Sequence, residues 1–197
     1  MLIFAVSCAA DAKVIVVLGD SISASYGIEV QQGWVALLQE KLTQIDGGWR
    51  IVNESISGET TIGGLARIDG ALKRHKPAIV LLELGANDGL RGLSPVQMKA
   101  NLAELIRRSR AAGAEVLLLA MKIPPNYGKR YTDLFYAVYQ ELAREYQVVL
   151  VPFILQDVAL HKELMQKDGF HPNRQAQPVI AGHVWKYLQP LVLQSGE

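Results

Sequence analysis

Four polar stretches, far apart in the chain, carry residue types that together suit acyl transfer. They are Gly19-Asp20-Ser21, the Asn53 to Gly58 segment, Gly85-Ala86-Asn87-Asp88 and Asp168-Gly169-Phe170-His171-Pro172. Acyl transfer needs a nucleophile, a base, a group that orients the base, and donors aimed at the developing oxyanion. Ser21 can be the nucleophile, a weak one until a base activates it. His171 can be that base. Asp168, three residues earlier, can fold back so that its carboxylate accepts from His171 Nδ1, leaving Nε2 for the serine proton. The Ser21 and Gly58 peptide N–H groups and the Asn87 side-chain amide can supply three oxyanion donors. Gly58 suits this because a backbone without Cβ admits a substrate oxygen closely.

Taken singly, each stretch has a plainer explanation. Gly-Asp-Ser is a common turn tripeptide, and Asn87-Asp88-Gly89 is the composition of a turn. A histidine before proline is more often a surface or capping residue than a base. Asp20 and Asp88 read as loop braces that hydrogen-bond nearby backbone. His75, His161 and His183 read as ordinary residues on helices or helix ends, with no acid at the right tip. What lifts the set above these readings is position, because each stretch falls where a C-terminal strand rim can gather it.

The elements that must do the gathering are legible as alternating patterns. Val14 to Leu18 is an unbroken apolar run, the mark of a strand buried on both faces, ended by Gly19. Ser23 to Gly33 reads as an exposed polar loop. Trp34 to Ile45 has helical spacing and is stopped by Gly47-Gly48. Arg50 to Glu54 reads as a short strand. Thr60 or Thr61 caps a helix to about His75, weakened by Gly63, Gly64 and Gly70. Ala78 to Leu82 is a further apolar strand whose polar tip begins at Glu83. Ser94-Pro95 starts a helix that runs to Arg110 or Ala111 before Gly113. Val116 to Met121, Tyr131 to Tyr146 and Val148 to Pro152 read as strand, helix and strand. Asp157 to Met165 is a short helix or turn, and Gln175 to Leu191 a closing helix. Strand-helix alternation with apolar strands predicts an α/β fold: a three-layer α/β/α sandwich on a five-stranded parallel sheet. Its expected strand order is flavodoxin-like, 2-1-3-4-5.

Composition narrows the function classes. At 197 residues the chain has room for one domain with a substantial core. Lys plus Arg total 20 against 19 acids, which leaves no basic footprint for nucleic acid or an anionic membrane. One cysteine, Cys8, excludes an intrachain disulfide and a cysteine-rich metal site. Residues 1–12 read as a signal-peptide remnant or N-terminal extension, with the fold starting near Lys13. Leu2 to Ala10 is apolar and Ala10-Asp11-Ala12 fits a signal peptidase site, though no Lys or Arg precedes it. The same apolar run is too short to span a bilayer. A lipobox-like reading at Cys8 has Ala5 where Leu is usual. The expectation is export to the periplasm or outside.

GDSIS, the glycine of NESISGET, GAND and DGFHP, in this order and spacing, resemble the blocks of the SGNH (GDSL-type) serine hydrolases. The likeness runs from Lys13 to about Val192 and is greatest to the bacterial periplasmic thioesterase, lysophospholipase and arylesterase group. Ile22 stands where the family name has Leu, a conservative departure. The resemblance implies hydrolysis of acyl thioesters, aryl and alkyl esters and lysophospholipids, with no metal or cofactor. It carries Ser21, Asp168 and His171 over as a triad, and the Ser21 N–H, Gly58 N–H and Asn87 side chain as the oxyanion hole. It also aligns Gly89 to Gly92 with a mobile loop over the acyl site, and Ile123 with an acyl-pocket residue that is usually Leu.

Other readings compete. The same constellation could deacetylate sugars, but apolar Leu90, Ile123 and Phe170 near the rim favour an acyl chain and are the expected substrate-binding residues. A flavodoxin-like binding module without catalysis would need a phosphate cradle, and neither G-x-G-x-x-G nor G-x-x-x-x-G-K-[ST] occurs. The absence of G-x-S-x-G argues against an ordinary α/β-hydrolase elbow. The expected partner is a small acyl ester or thioester, with no nucleic acid, no stable membrane insertion and a monomeric chain.

Overall fold

In a computed structural model describing residues 12–45 and 48–194, five parallel strands form one sheet in the order β2-β1-β3-β4-β5. The strands are β1 (Lys13–Gly19), β2 (Trp49–Asn53), β3 (Ile79–Glu83), β4 (Glu115–Leu119) and β5 (Val149–Val151). This is the expected order, and its cause is visible in the burial. Ile15 to Leu18 and Ile79 to Leu82 are fully buried, as strands covered on both faces must be. Helices α1 (Trp34–Ile45) and α6 (Gln177–Gln194) pack together on one face. On the other lie α2 (Thr61–His75), α4 (Pro95–Ala111) and α5 (Lys129–Tyr146), with a one-turn helix α3 (Ala86–Leu90) at the rim. Apolar side chains from both faces join in one contiguous core cluster. Among the described residues, no helix is long and apolar enough to cross a membrane.

Helix boundaries follow local chemistry closely. α1 has the expected limits, and its first peptide N–H donates to Gln177 Oε1 at 3.0 Å, which ties it to α6. α2 begins after Thr60 and α4 begins with Pro95 at its first position. The expected stop at Gly47 and the N-terminal extension, Ala12 apart, lie outside the described residues.

Several expectations are corrected. Ser23 to Gly33 is not an exposed loop throughout: Ile22, Ser23, Ser25 and Gly33 are buried, and Val30–Gln32 forms a 3-10 turn. The chain dives inward there because Ser23 bonds to a buried acid. That acid, Glu83, belongs to β3 and not to a solvent tip. Asp157 to Met165 is turn, as expected, with one 3-10 segment at Lys162–Leu164, and the closing helix is preceded by another at Arg174–Ala176.

The glycines that weaken α2 by propensity have unequal reasons. A Cβ on Gly64 would stand 2.4 Å from Leu84 Cδ1, itself fully buried, so the helix needs a bare backbone to lie on the sheet. Gly70 is exposed, and its Cβ would meet only the end of the Arg74 side chain at 3.3 Å. Replacing a helix-interior glycine by alanine where space allows gains about 0.5–1 kcal/mol. Gly70→Ala is therefore expected to raise the urea midpoint and Gly64→Ala to lower it. Shifts of the same sign in both would refute this account of α2.

Candidate active site

β1 and β3 run side by side, and both end at the same rim. Ser21 follows β1 by two residues and is half-buried. His171 arrives from the loop before α6, and its Nε2 lies 2.9 Å from Ser21 Oγ. His171 Nδ1 lies 2.7 Å from Asp168 Oδ2, while Asp168 Oδ1 accepts from the Phe170 and His171 peptide N–H groups at 2.9 and 3.1 Å. Partial burial works to raise the Asp168 pKa. The imidazole and the two peptide donors outweigh it, and hold this carboxyl down at about 2. A carboxylate in that state only accepts, so Nδ1 carries the proton and Nε2 is free to accept from Ser21.

The histidine loop is held from several sides. Gln166 N–H donates to His171 O at 2.7 Å, and Gln166 Nε2 donates to Tyr26 O and Pro172 O. Asn173 N–H donates to Leu164 O, and Asn173 Oδ1 accepts from the peptides of Gln175 and Ala176. The Tyr26 ring lies over the His171 ring, with centroids 4.5 Å apart. Tyr26 escaped the sequence reading. Its only signal was an aromatic in the turn that follows the serine.

Three donors stand near the serine. Neither the Ser21 nor the Gly58 peptide N–H is bonded to another group among the described residues, an unusual state for backbone donors. Gly58 has φ +81°, and a Cβ there would meet only Arg91 Nη2 at 3.8 Å, so backbone conformation is what requires glycine. Its carbonyl accepts from Arg91 Nη2 at 2.9 Å. The third donor, Asn87 Nδ2, spends one hydrogen on Asp20 Oδ2 at 3.0 Å, leaving the second available.

The expected braces are present and reach further than expected. Asp20 Oδ1 accepts from the Ile22 peptide at 3.0 Å. Asp88 accepts from the Thr61 N–H and hydroxyl at 2.9 and 2.5 Å, and Asn101 donates to the same hydroxyl. Under Asp20 sits Glu83, which accepts from Ser23 Oγ at 2.6 Å and from the Asp20 peptide at 3.2 Å. Burial pushes both carboxyls up, Asp20 to about 6 and Glu83 well above the ordinary range, and their mutual repulsion adds to the Glu83 shift.

The substrate-binding candidates divide. Ile123 is buried, and its Cγ2 packs so closely on Gly89 that a Cβ there would stand 2.5 Å away. Leu90 is half-buried beside it, and the segment is stapled by Tyr127 Oη to Leu90 O and Tyr131 Oη to Leu93 O, both 2.7 Å. Phe170 is exposed. Two open depressions flank the rim, one lined by Tyr26, Met165, Gln166 and Asp168, the other by Lys122, Ile123, Thr132 and Tyr136. His75 does have an acid, contrary to expectation: its Nε2 lies 2.6 Å from Glu54, which also pairs with Arg67 and Arg74. Among the described residues no serine hydrogen-bonds to His75, and the cluster serves to hold α2 to the end of β2. Among the described residues, no group of three or more His, Cys, Asp or Glu is arranged to hold a metal ion.

Two predictions follow from these charges and donors. Asp20 titrates higher folded than unfolded, so the folded state binds more protons between about pH 4 and pH 6, and stability falls as pH rises through that window. Asp168 acts oppositely, giving stability that is lost only as pH drops from about 4 towards 2. The urea midpoint is expected to be lower at pH 7 than at pH 5, with Glu83→Gln shrinking the difference; a higher midpoint at pH 7 would contradict the dyad. Asn87→Ala is expected to cost on the order of 10²–10³ in kcat, and an unchanged kcat removes it as a donor.

Comparison with known proteins agrees with this geometry. The GDSL-like Lipase/Acylhydrolase family matches residues 17–177. The chain is 49% identical over 183 residues to Esterase TesA of Pseudomonas aeruginosa, covering 93% of this chain and 91% of that protein. It is 47% identical over 184 residues to Thioesterase 1/protease 1/lysophospholipase L1 of Escherichia coli, covering 93% and 87%. The crystal structure of TesA superposes with a TM-score of 0.89 at 49% identity, over 91% of this chain and 99% of that one. The chain belongs to the GDSL-like lipase/acylhydrolase, or SGNH, family of ester hydrolases.

Proposed function

We propose that the protein is a serine esterase of broad acyl specificity, acting on aryl esters, acyl thioesters such as acyl-CoA, and lysophospholipids. Ser21 Oγ attacks the acyl carbonyl while His171 Nε2 takes its proton. The imidazolium that forms is steadied by the Asp168 carboxylate, which stays ionised. The Ser21 and Gly58 peptides and the free Asn87 hydrogen stabilise the oxyanion. His171 then returns the proton to the departing alcohol or thiol, and water repeats the cycle on the acyl-enzyme. The chain of hydrogen bonds Asp168–His171–Ser21, at 2.7 and 2.9 Å, is the observation that carries this reading. The two unbonded peptide donors beside it support the same assignment.

Leu90 and Ile123 are assigned to the acyl chain, with the exposed Phe170 next to His171 at the rim. Such a pocket favours a lipid acyl group over a polar glycan, and the E. coli relative's name points the same way. No cofactor enters the reaction as proposed. The protein acts alone as a monomer, with no nucleic-acid partner. Export to the periplasm or outside is proposed on the apolar Leu2 to Ala10 run and the Ala10-Asp11-Ala12 site.

Hydrolysis of a p-nitrophenyl ester series from acetate to palmitate tests the assignment, with Ser21→Ala as control. The expected result is activity peaking at medium or long chains and reduced by several orders of magnitude in the variant, as for other triad removals. Activity confined to acetate would favour a deacetylase, and near-wild-type turnover by Ser21→Ala would overturn the nucleophile.

A further inference from the structure

The mechanism above leaves the fully buried carboxyl of Glu83 without a task. Glu83 closes β3 directly beside Gly19 of β1, in paired register. A Cβ on Gly19 would stand 2.7 Å from Glu83 Oε2, so the glycine before the serine turn makes room for this carboxyl. Oε2 accepts from Ser23 Oγ and the Asp20 peptide, the two groups that bracket Ser21 in sequence. Oε1 is buried with no fixed donor among the described residues. Burial and the nearby Asp20 carboxyl together hold Glu83 well above the ordinary carboxyl range. Asp20 is 1% exposed, and both of its oxygens accept, from the Ile22 peptide and from Asn87 Nδ2.

We propose that Glu83 is a positioning residue for the oxyanion hole, acting through Asp20 on the Asn87 amide. The inference rests on the oxyanion assignment made above. Two adjacent buried carboxyls cannot both ionise. The proton belongs on Glu83, because each Asp20 oxygen already accepts from a donor, whereas Glu83 Oε1 accepts from none and can carry it. A neutral Glu83 keeps Oε2 as the acceptor for Ser23 Oγ and the Asp20 peptide and leaves the pair's one charge on Asp20. It thereby fixes Asp20 as an acceptor, and an acceptor is what holds one Asn87 hydrogen and turns the other towards the substrate. An Asp20 free to rotate would leave Asn87 unanchored. The donor that matters only as charge develops would then be lost, while ground-state binding would persist.

That split sets the experiment: steady-state kinetics on p-nitrophenyl butyrate for Glu83→Ala and Glu83→Gln, each made in the wild-type and Asn87→Ala backgrounds. Glu83→Ala is expected to lower kcat by roughly tenfold or more with KM within about twofold. Glu83→Gln, a neutral donor of the same shape, is expected to recover most of that loss. In the Asn87→Ala background, Glu83→Ala is expected to cost less than about threefold further, since the residue it positions is gone. Equal losses in both backgrounds, or a rise in KM alone, would overturn the proposal. Because Glu83→Ala can fail to fold, difference infrared spectra of wild type and Glu83→Gln at pH 7 give a second reading. A protonated-carboxyl band that disappears in Glu83→Gln supports the assignment, and no such band overturns it. An unchanged rate in Asn87→Ala would overturn the oxyanion assignment and this proposal together; a loss there with none in Glu83→Ala would overturn this proposal alone.

Discussion

A hydrogen bond of 2.9 Å joins Ser21 to His171 across 150 residues of sequence, and most of the architecture can be understood as what keeps those two side chains in reach. Parallel strands bring every C-terminal end to one rim, so a residue just after β1 and a loop just before α6 can meet without a dedicated linker. Ordering such a long closure costs chain entropy. The apolar strands Ile15 to Leu18 and Ile79 to Leu82, fully buried, supply the compensating burial. What the sheet cannot supply is fine orientation of the imidazole. That comes from Gln166, Asn173 and the Tyr26 ring, all near the loop itself.

Around the serine the carboxyl groups fall into two environments with opposite consequences. Asp168 is partly exposed and takes three hydrogen bonds, two of them from peptides, so it remains charged and can steady an imidazolium. Asp20 and Glu83 lie in the interior, where desolvation disfavours charge and proximity forbids two of them. Glu83 at the foot of the serine turn gives up stability as pH rises, an arrangement more easily explained by function than by folding. Asp88 shows the plainer use of a buried carboxylate, spanning from the rim of β3 to the start of α2 through Thr61.

The parts of this structure that were legible in the sequence are those where one physical signal dominates. The α1 limits follow from apolar spacing between Trp34 and Ile45, and the sheet order follows from apolar strands alternating with helices. The meeting of Ser21, Asp168 and His171 was legible because these three residue types fall in loops that one rim can gather, in an order that suits one chemistry. What escaped is polar and buried. Glu83 looked like the start of a solvent tip because a charged residue ended an apolar run, yet its neighbours Ser23 and Asp20 fold inward to meet it. Ser23 to Gly33 looked exposed for the same reason, since composition alone does not reveal which serines find partners in the interior. His75 looked isolated because its acid, Glu54, is 21 residues away and joins it only once α2 has packed.

The most direct test of the account is covalent labelling with a p-nitrophenyl phosphonate, following p-nitrophenol release and locating the adduct by mass spectrometry. The account predicts a burst of one equivalent per chain, the phosphonyl group on Ser21, and a burst rate that collapses in His171→Ala while the fold persists. An adduct on another residue, or a Ser21 burst as fast without His171 as with it, would contradict the idea that this hydrogen bond makes Ser21 a nucleophile.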